Sequence, residues 1–174
     1  RQAAGLSPSP LVRFDAMTMD FTVFELGLWV VLPLDRTTGG LLLACGLMHI
    51  VRLVRWTGYR TFADRMVLIL HVAYAFIPAG FILSALSALD MIAPGAGIHA
   101  WAGGAIGTMT LAVMSRAALG HTGRPLVVAR PIALAYVLLA LAALVRAFGP
   151  VLAPGSYYAV MFISGGLWIA AFAI

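Results

Sequence analysis

Residues 98–131 read IHAWAGGAIGTMTLAVMSRAALGHTGRPLVVARP, and this stretch decides the fold. It opens on His99 and carries no charge until Arg116, then turns through Gly120, His121, Thr122, Gly123, Arg124 and Pro125. About twenty mostly apolar residues, at about 1.5 Å of rise each, cross the ~30 Å hydrocarbon core of a bilayer. Gly103 and Gly107 form a GxxxG pair, which lets another helix approach closely. The stretch therefore reads as a transmembrane helix with a histidine near each end and an arginine-bearing turn after it.

The remainder of the chain repeats this pattern. Apolar spans are expected at about 16–34, 39–54, 66–89, 98–119, 131–148 and 157–174, giving an all-α, polytopic transmembrane bundle of about six spans over residues 14–174. Residues 1–13 read as a polar, proline-containing loop or linker. Composition agrees: of 174 residues 63% are hydrophobic and only 10% charged, which excludes a soluble globule and a disordered chain. The first span is impure, carrying Asp20 and Glu25, and Pro78 predicts a kink within the third. The chain begins at Arg1 and ends in an apolar run, so it reads as a piece of a longer protein. No cleavable signal peptide is visible.

All 11 basic residues are arginine, against 6 acidic ones. They stand singly or in pairs beside apolar spans, not in a stripe that tracks phosphates, which argues against nucleic acid. With six spans, Arg1, Arg13, Arg52, Arg55, Arg60, Arg65, Arg116, Arg124 and Arg130 fall on one side, and Arg36 and Arg146 on the other. That asymmetry places both ends of the chain and the arginine-rich turns in the cytoplasm. Asp35 and Arg36 read as a solvated turn.

Four histidines lie in or beside spans, where an ionisable residue suggests function. His49 and His71 sit at similar depth on consecutive antiparallel helices, each six residues from an arginine. This is the placement an axial pair for haem requires. Arg52, Arg55, Arg116 and Arg124 lie at the same edge, where they suit the haem propionates. His99 lies at the far end of its helix and belongs to a second site. Along that helix His99, Gly103, Gly107, Thr110 and Met114 share a face, while Met66, Met109 and Met114 read as core. Cys45 and His49, at i and i+4, suit a soft metal such as copper, although a lone cysteine more often packs as a small hydrophobe. Gly120 reads as a helix C-cap. No Ser/His/Asp arrangement, phosphate loop or CxxC pair is present.

The strings HIVRLVRWTGYRT (49–61), LILHVAYAF (68–76), the stretch 98–126 and GGLWIAAFAI (165–174) resemble the C-terminal half of the NnrS family of haem- and copper-containing bacterial membrane proteins. The resemblance implies haem b and, secondarily, copper, with His49, His71, His99 and His121 as metal ligands. It also implies residence in the bacterial cytoplasmic (inner) membrane, a tie to nitrosative stress and nitric oxide as a small ligand. The N-terminal half of the same protein is the implied partner. From the residues alone, the competing expectation is half of a transporter or channel without a redox cofactor, with Glu25 and the Pro78 break lining a path.

Overall fold

The computed structural model describes residues 13–58 and 61–174; most of the expected N-terminal loop, together with Arg1 and Arg60, lies outside them. The described residues form helices and no strand. The elements are α1 (Arg13–Val31), α2 (Arg36–Arg55), α3 (Arg65–Ala88), α4 (Ala96–His99), a π-helical segment (Ala100–Gly107), α5 (Thr108–His121), α6 (Arg130–Leu152) and α7 (Tyr157–Phe172). Four helical stretches are long and apolar enough to cross a membrane: Arg36–Arg55, Arg65–Ala88, Arg130–Leu152 and Pro154–Phe172. The other two expected spans are helical but fail for separate reasons. α1 carries Asp15, Asp20 and Glu25, and the fourth span is divided by its π segment.

Local chemistry sets the helix ends. Asp35 caps α2: its Oδ1 accepts from the backbone N–H of Thr37 at 2.8 Å and of Thr38 at 3.2 Å. The expected solvated turn is thus a specific N-cap. Asp64 caps α3 in the same way, accepting from Met66 and Val67. α5 runs on through Gly120 to His121, and Gly123, at φ +65°, takes the left-handed position after it. The expected cap at Gly120 is therefore displaced by three residues.

Small side chains build much of the interior. Ala96, Ala100, Ala105, Ala143 and Ala147 surround Phe76 and Leu83 where α3, the π segment and α6 meet. Leu42, Cys45, Phe81 and Ala85 join α2 to α3. Met66 is buried with Ile69, Ala112 and Tyr136, whereas Met114 is exposed. Backbone proximity of this kind suits a bundle in lipid, where association depends on packing and not on hydrophobic exclusion. Many large apolar side chains face outward, among them Phe24, Val54, Ile106 and Phe162. Pro78 is buried inside an uninterrupted α3.

The π segment changes the packing expected of the glycines. A Cβ on Gly103 would stand 3.7 Å from Trp168, an ordinary contact, and one on Gly107 would meet the same ring at 2.7 Å. Tighter approaches are at Gly97, where a Cβ would meet Ser84 Oγ and lie 2.6 Å from the Gly80 carbonyl, at Gly104, where it would run into the Phe76 ring, and at Gly80, where it would run into Trp101. Trp101 in the π segment donates its Nε1–H to the Ile77 carbonyl at 3.1 Å, fixing the segment to α3. Because i→i+5 bonding takes up extra residues per turn, the face that begins at His99 rotates away beyond Gly107. Thr110 and Met114 accordingly point outward instead of continuing that face.

Candidate functional site

α1 turns one polar edge inward. Asp15, Thr18, Thr22 and Glu25 recur every three or four residues, so they share a face. Asp15, Thr18 and Glu25 are buried. α2 brings Cys45, His49, Arg52 and Arg55 against this face, and α3 contributes Tyr74 and Phe81.

His49 is 2% exposed and both its ring nitrogens are engaged. Nδ1 lies 2.7 Å from the Tyr74 hydroxyl, and Nε2 lies 2.9 Å from Thr22 Oγ1. The donor order follows from the neighbours. Arg52 donates Nη1–H to the Tyr74 oxygen at 3.1 Å, and Thr22 donates its hydroxyl to the Thr18 carbonyl at 2.6 Å. With the Thr22 proton on the Thr18 carbonyl, the Nε2–H of His49 donates to Thr22 and Tyr74 donates to Nδ1. The sequence Arg52→Tyr74→His49→Thr22→Thr18 satisfies every member with a neutral imidazole protonated on Nε2. The ring also stacks on Phe81, with centroids 5.4 Å apart and planes 10° from parallel.

At the outer end of this chain, Arg52 Nε lies 3.3 Å from Asp15 Oδ1, and Arg55 Nη1 lies 3.5 Å from Asp15 Oδ2. The Arg52 guanidinium also stacks over Trp56 at 4.9 Å. Both arginines thus have a carboxylate partner inside the chain, which sequence reasoning reserved for an exogenous acid. At the inner end, both oxygens of fully buried Glu25 lack a hydrogen-bond partner. Cys45 is buried, with Sγ 3.5 Å from Thr22 Oγ1.

His71 is arranged differently. Its Nδ1–H donates to the Val67 carbonyl at 2.9 Å, which leaves the lone pair on Nε2. A backbone carbonyl on Nδ1 is the usual orienting partner of a histidine that ligates metal through Nε2. Gly58 gives the ring its space: a Cβ there would meet His71 Cγ at 2.8 Å. The two histidines do not face one another directly. Ring contacts run from His71 to Trp56 (6.2 Å), from Trp56 to Tyr74 (4.5 Å) and from Tyr74 to His49 (5.8 Å).

The other expected residues occupy separate places. His99 lines a cavity of about 290 Å³ with Gly103, Arg146, Ser164 and Trp168, at the opposite end of the bundle from Arg65 and Arg130. Arg146 extends over the Tyr157 ring at 5.9 Å, and its Nη1 is buried with no hydrogen-bond partner. His121 and Arg116 share a shallow depression at the end of α5, and Arg124 is exposed in the following turn.

These positions test the fit of the implied cofactors. Both ring nitrogens of His49 are taken up by Thr22 and Tyr74, so it does not fit as an axial ligand. His71 fits, by its free Nε2. For copper the fit is poor: Cys45 and His49 both spend their contacts on Thr22, and no three His, Cys, Asp or Glu side chains converge among the described residues. Sequence reasoning missed Asp15, Thr18, Thr22 and Tyr74. The three on α1 were visible as polar residues at helical spacing with Glu25; Tyr74 gave no signal beyond its place three residues after His71.

No curated protein and no solved structure matches the chain. A family model described as NnrS protein matches residues 1–174, the whole of the sequence. A match of that extent, on a chain whose described residues form helices and no strand and include four helices fit for a bilayer, means that the chain belongs to the NnrS family, membrane proteins linked to the nitric oxide response.

Proposed function

We propose that this chain is a six-span bundle of the bacterial cytoplasmic membrane that holds haem b through His71 and presents it to nitric oxide. The observation that carries the reading is the His71 Nδ1–H bond to Val67, which leaves Nε2 oriented and unpartnered. A haem held by His71 would supply an iron able to take nitric oxide as a ligand. The residues around it act by position. Trp56 meets the His71 ring edge to face, Gly58 leaves it room, and the Arg52 guanidinium stacks over Trp56.

Two further spans complete the six. α1 directs its polar edge at α2 while Val23, Phe24, Val30 and Val31 face outward, a distribution suited to lipid on one side and a polar interior on the other. The α4–π–α5 rod runs without a break from Ala96 to His121, longer than the ~30 Å core at about 1.5 Å per residue. Six crossings put Arg65, Arg116 and Arg130 on the cytoplasmic side.

The test is haem content, by optical spectrum of the detergent-purified protein, in the His71→Ala and His49→Ala variants. Loss of the Soret band in the first and its retention in the second is expected; the reverse pattern refutes the assignment. One observation favours a transporter half instead: a fully buried carboxyl, Glu25, with no partner for either oxygen. That reading predicts a colourless protein whose ion flux is lost in Glu25→Gln.

A further inference from the structure

Away from the histidines, α3 and α6 enclose a cavity of about 470 Å³ that differs from the others in its lining. Its walls are apolar, with Leu68 and Val72 from α3 and Ala133, Leu134 and Val137 from α6. Its mouth carries two cations, Arg65 and Arg130, which begin their respective helices and so lie at one edge of the bundle. Both are exposed, and no carboxylate lies within ion-pair distance of either among the described residues. The nearest acid in sequence, Asp64, turns its Oδ1 onto the backbone N–H groups of its own helix. The lining holds no acid, and no histidine, cysteine or methionine that would ligate a metal.

We propose that this groove binds an anionic phospholipid, with the headgroup phosphate between Arg65 and Arg130 and an acyl chain lying along the apolar walls. Charge complementarity and length both select that occupant. Two guanidinium groups present paired donors to phosphate oxygens, and basic pockets between helices on the cytoplasmic side of a membrane suit anionic headgroups. The N-terminus of α6 adds to this, since its first turn has no side-chain cap and its dipole favours negative charge. From Arg130 to Ala140 the groove descends about 15 Å at helical rise, roughly the depth of one leaflet of the ~30 Å core. A free anion would use the arginines and leave the apolar walls without purpose. Tyr136, the one polar side chain deeper in the wall, is buried and hydrogen-bonded to Ser115, so the chain below the headgroup meets no open polar group.

The test uses the intact protein in a neutral detergent with three added probes: phosphatidylglycerol, phosphatidylcholine and inorganic phosphate. Native mass spectrometry reads lipid retention and a melting curve reads stabilisation. Phosphatidylglycerol is expected to be retained and to raise the midpoint, with at least tenfold weaker apparent affinity in Arg65→Gln/Arg130→Gln. Ala133→Trp, which fills the groove and keeps both arginines, is expected to abolish retention as well. Equal effects of the two lipids, or unchanged retention in both variants, overturn the proposal. So does full stabilisation by inorganic phosphate, which would mark a small-anion site. If the double arginine variant fails to fold, the lipid comparison and Ala133→Trp still decide.

Discussion

Tyr74→Phe removes one oxygen and breaks two hydrogen bonds, those to His49 Nδ1 at 2.7 Å and from Arg52 Nη1 at 3.1 Å. Arg52 keeps Asp15 and a contact from Nη1 to Met19 Sδ at 3.2 Å, so its loss is partial. His49, 2% exposed, is left with Nδ1 facing a ring edge and no route to water. Side-chain hydrogen bonds inside membrane proteins average about 0.6 kcal/mol and reach about 1.7. An orphaned buried acceptor costs about 1–3 kcal/mol. The expected destabilisation is therefore about 2 kcal/mol, roughly thirtyfold in the folding equilibrium. Reversible unfolding in mixed detergent micelles measures it, and a double-mutant cycle with His49→Leu should return a coupling of about 0.6–1.7 kcal/mol. Nitrogen NMR of labelled histidine gives a second reading: His49 should carry its proton on Nε2, and Tyr74→Phe should perturb Nδ1. A change below about 0.3 kcal/mol with no coupling, or a proton found on Nδ1, refutes the proposed bond order.

Other consequences follow from the packing and the caps. Gly97→Ala places a Cβ 2.6 Å from the Gly80 carbonyl and should cost about 1–3 kcal/mol, while Gly103→Ala, with 3.7 Å to Trp168, should be near neutral; comparable losses in the two would contradict the π-segment packing. Glu25→Leu removes a buried carboxyl without a partner and should stabilise the bundle by about 1–3 kcal/mol, read by the same unfolding assay; a loss of stability would mean that a partner holds Glu25 in place. The backbone N–H groups of Thr38 and Thr37 hold the Asp35 carboxyl below the usual carboxylate range. A folded-state value below the unfolded one gives stability that is present above about pH 3.9 and fades as pH falls through the lower, folded value. Asp35→Asn should keep the cap and lose that acid-side dependence, and a melting series between about pH 2 and 5 compares the two.

The helices were largely legible in the sequence, because an apolar run of bilayer length bounded by arginine or a Gly/Pro turn has few other readings. Each expected span ends within about three residues of a helix end, except that α6 runs on through Pro150 to Leu152. The count of spans was less legible. α1 hides a polar stripe that lowers its apolar character without exposing that stripe to lipid, and a π segment interrupts the fourth. Helical-face arithmetic failed on that fourth span for the same reason, since Thr110 and Met114 follow a stretch with a different number of residues per turn. At the site, depth along the helices was readable and orientation was not. His49 and His71 were expected as a pair on depth alone. Their separate roles depend on Thr22, Tyr74 and the Val67 carbonyl, whose bonds are tertiary or conformational. Asp15 lay one residue outside the expected span, so its helical spacing with Thr18, Thr22 and Glu25 went uncounted and its pairing with Arg52 and Arg55 was missed.

The assignment of haem to His71 stands or falls on one measurement: optical spectra of the parent, His71→Ala and His49→Ala proteins, dithionite-reduced, before and after nitric oxide. A Soret band is expected in the parent, shifting with nitric oxide, absent in His71→Ala and surviving in His49→Ala. A band that persists in His71→Ala, or one in the parent that ignores nitric oxide, contradicts this reading.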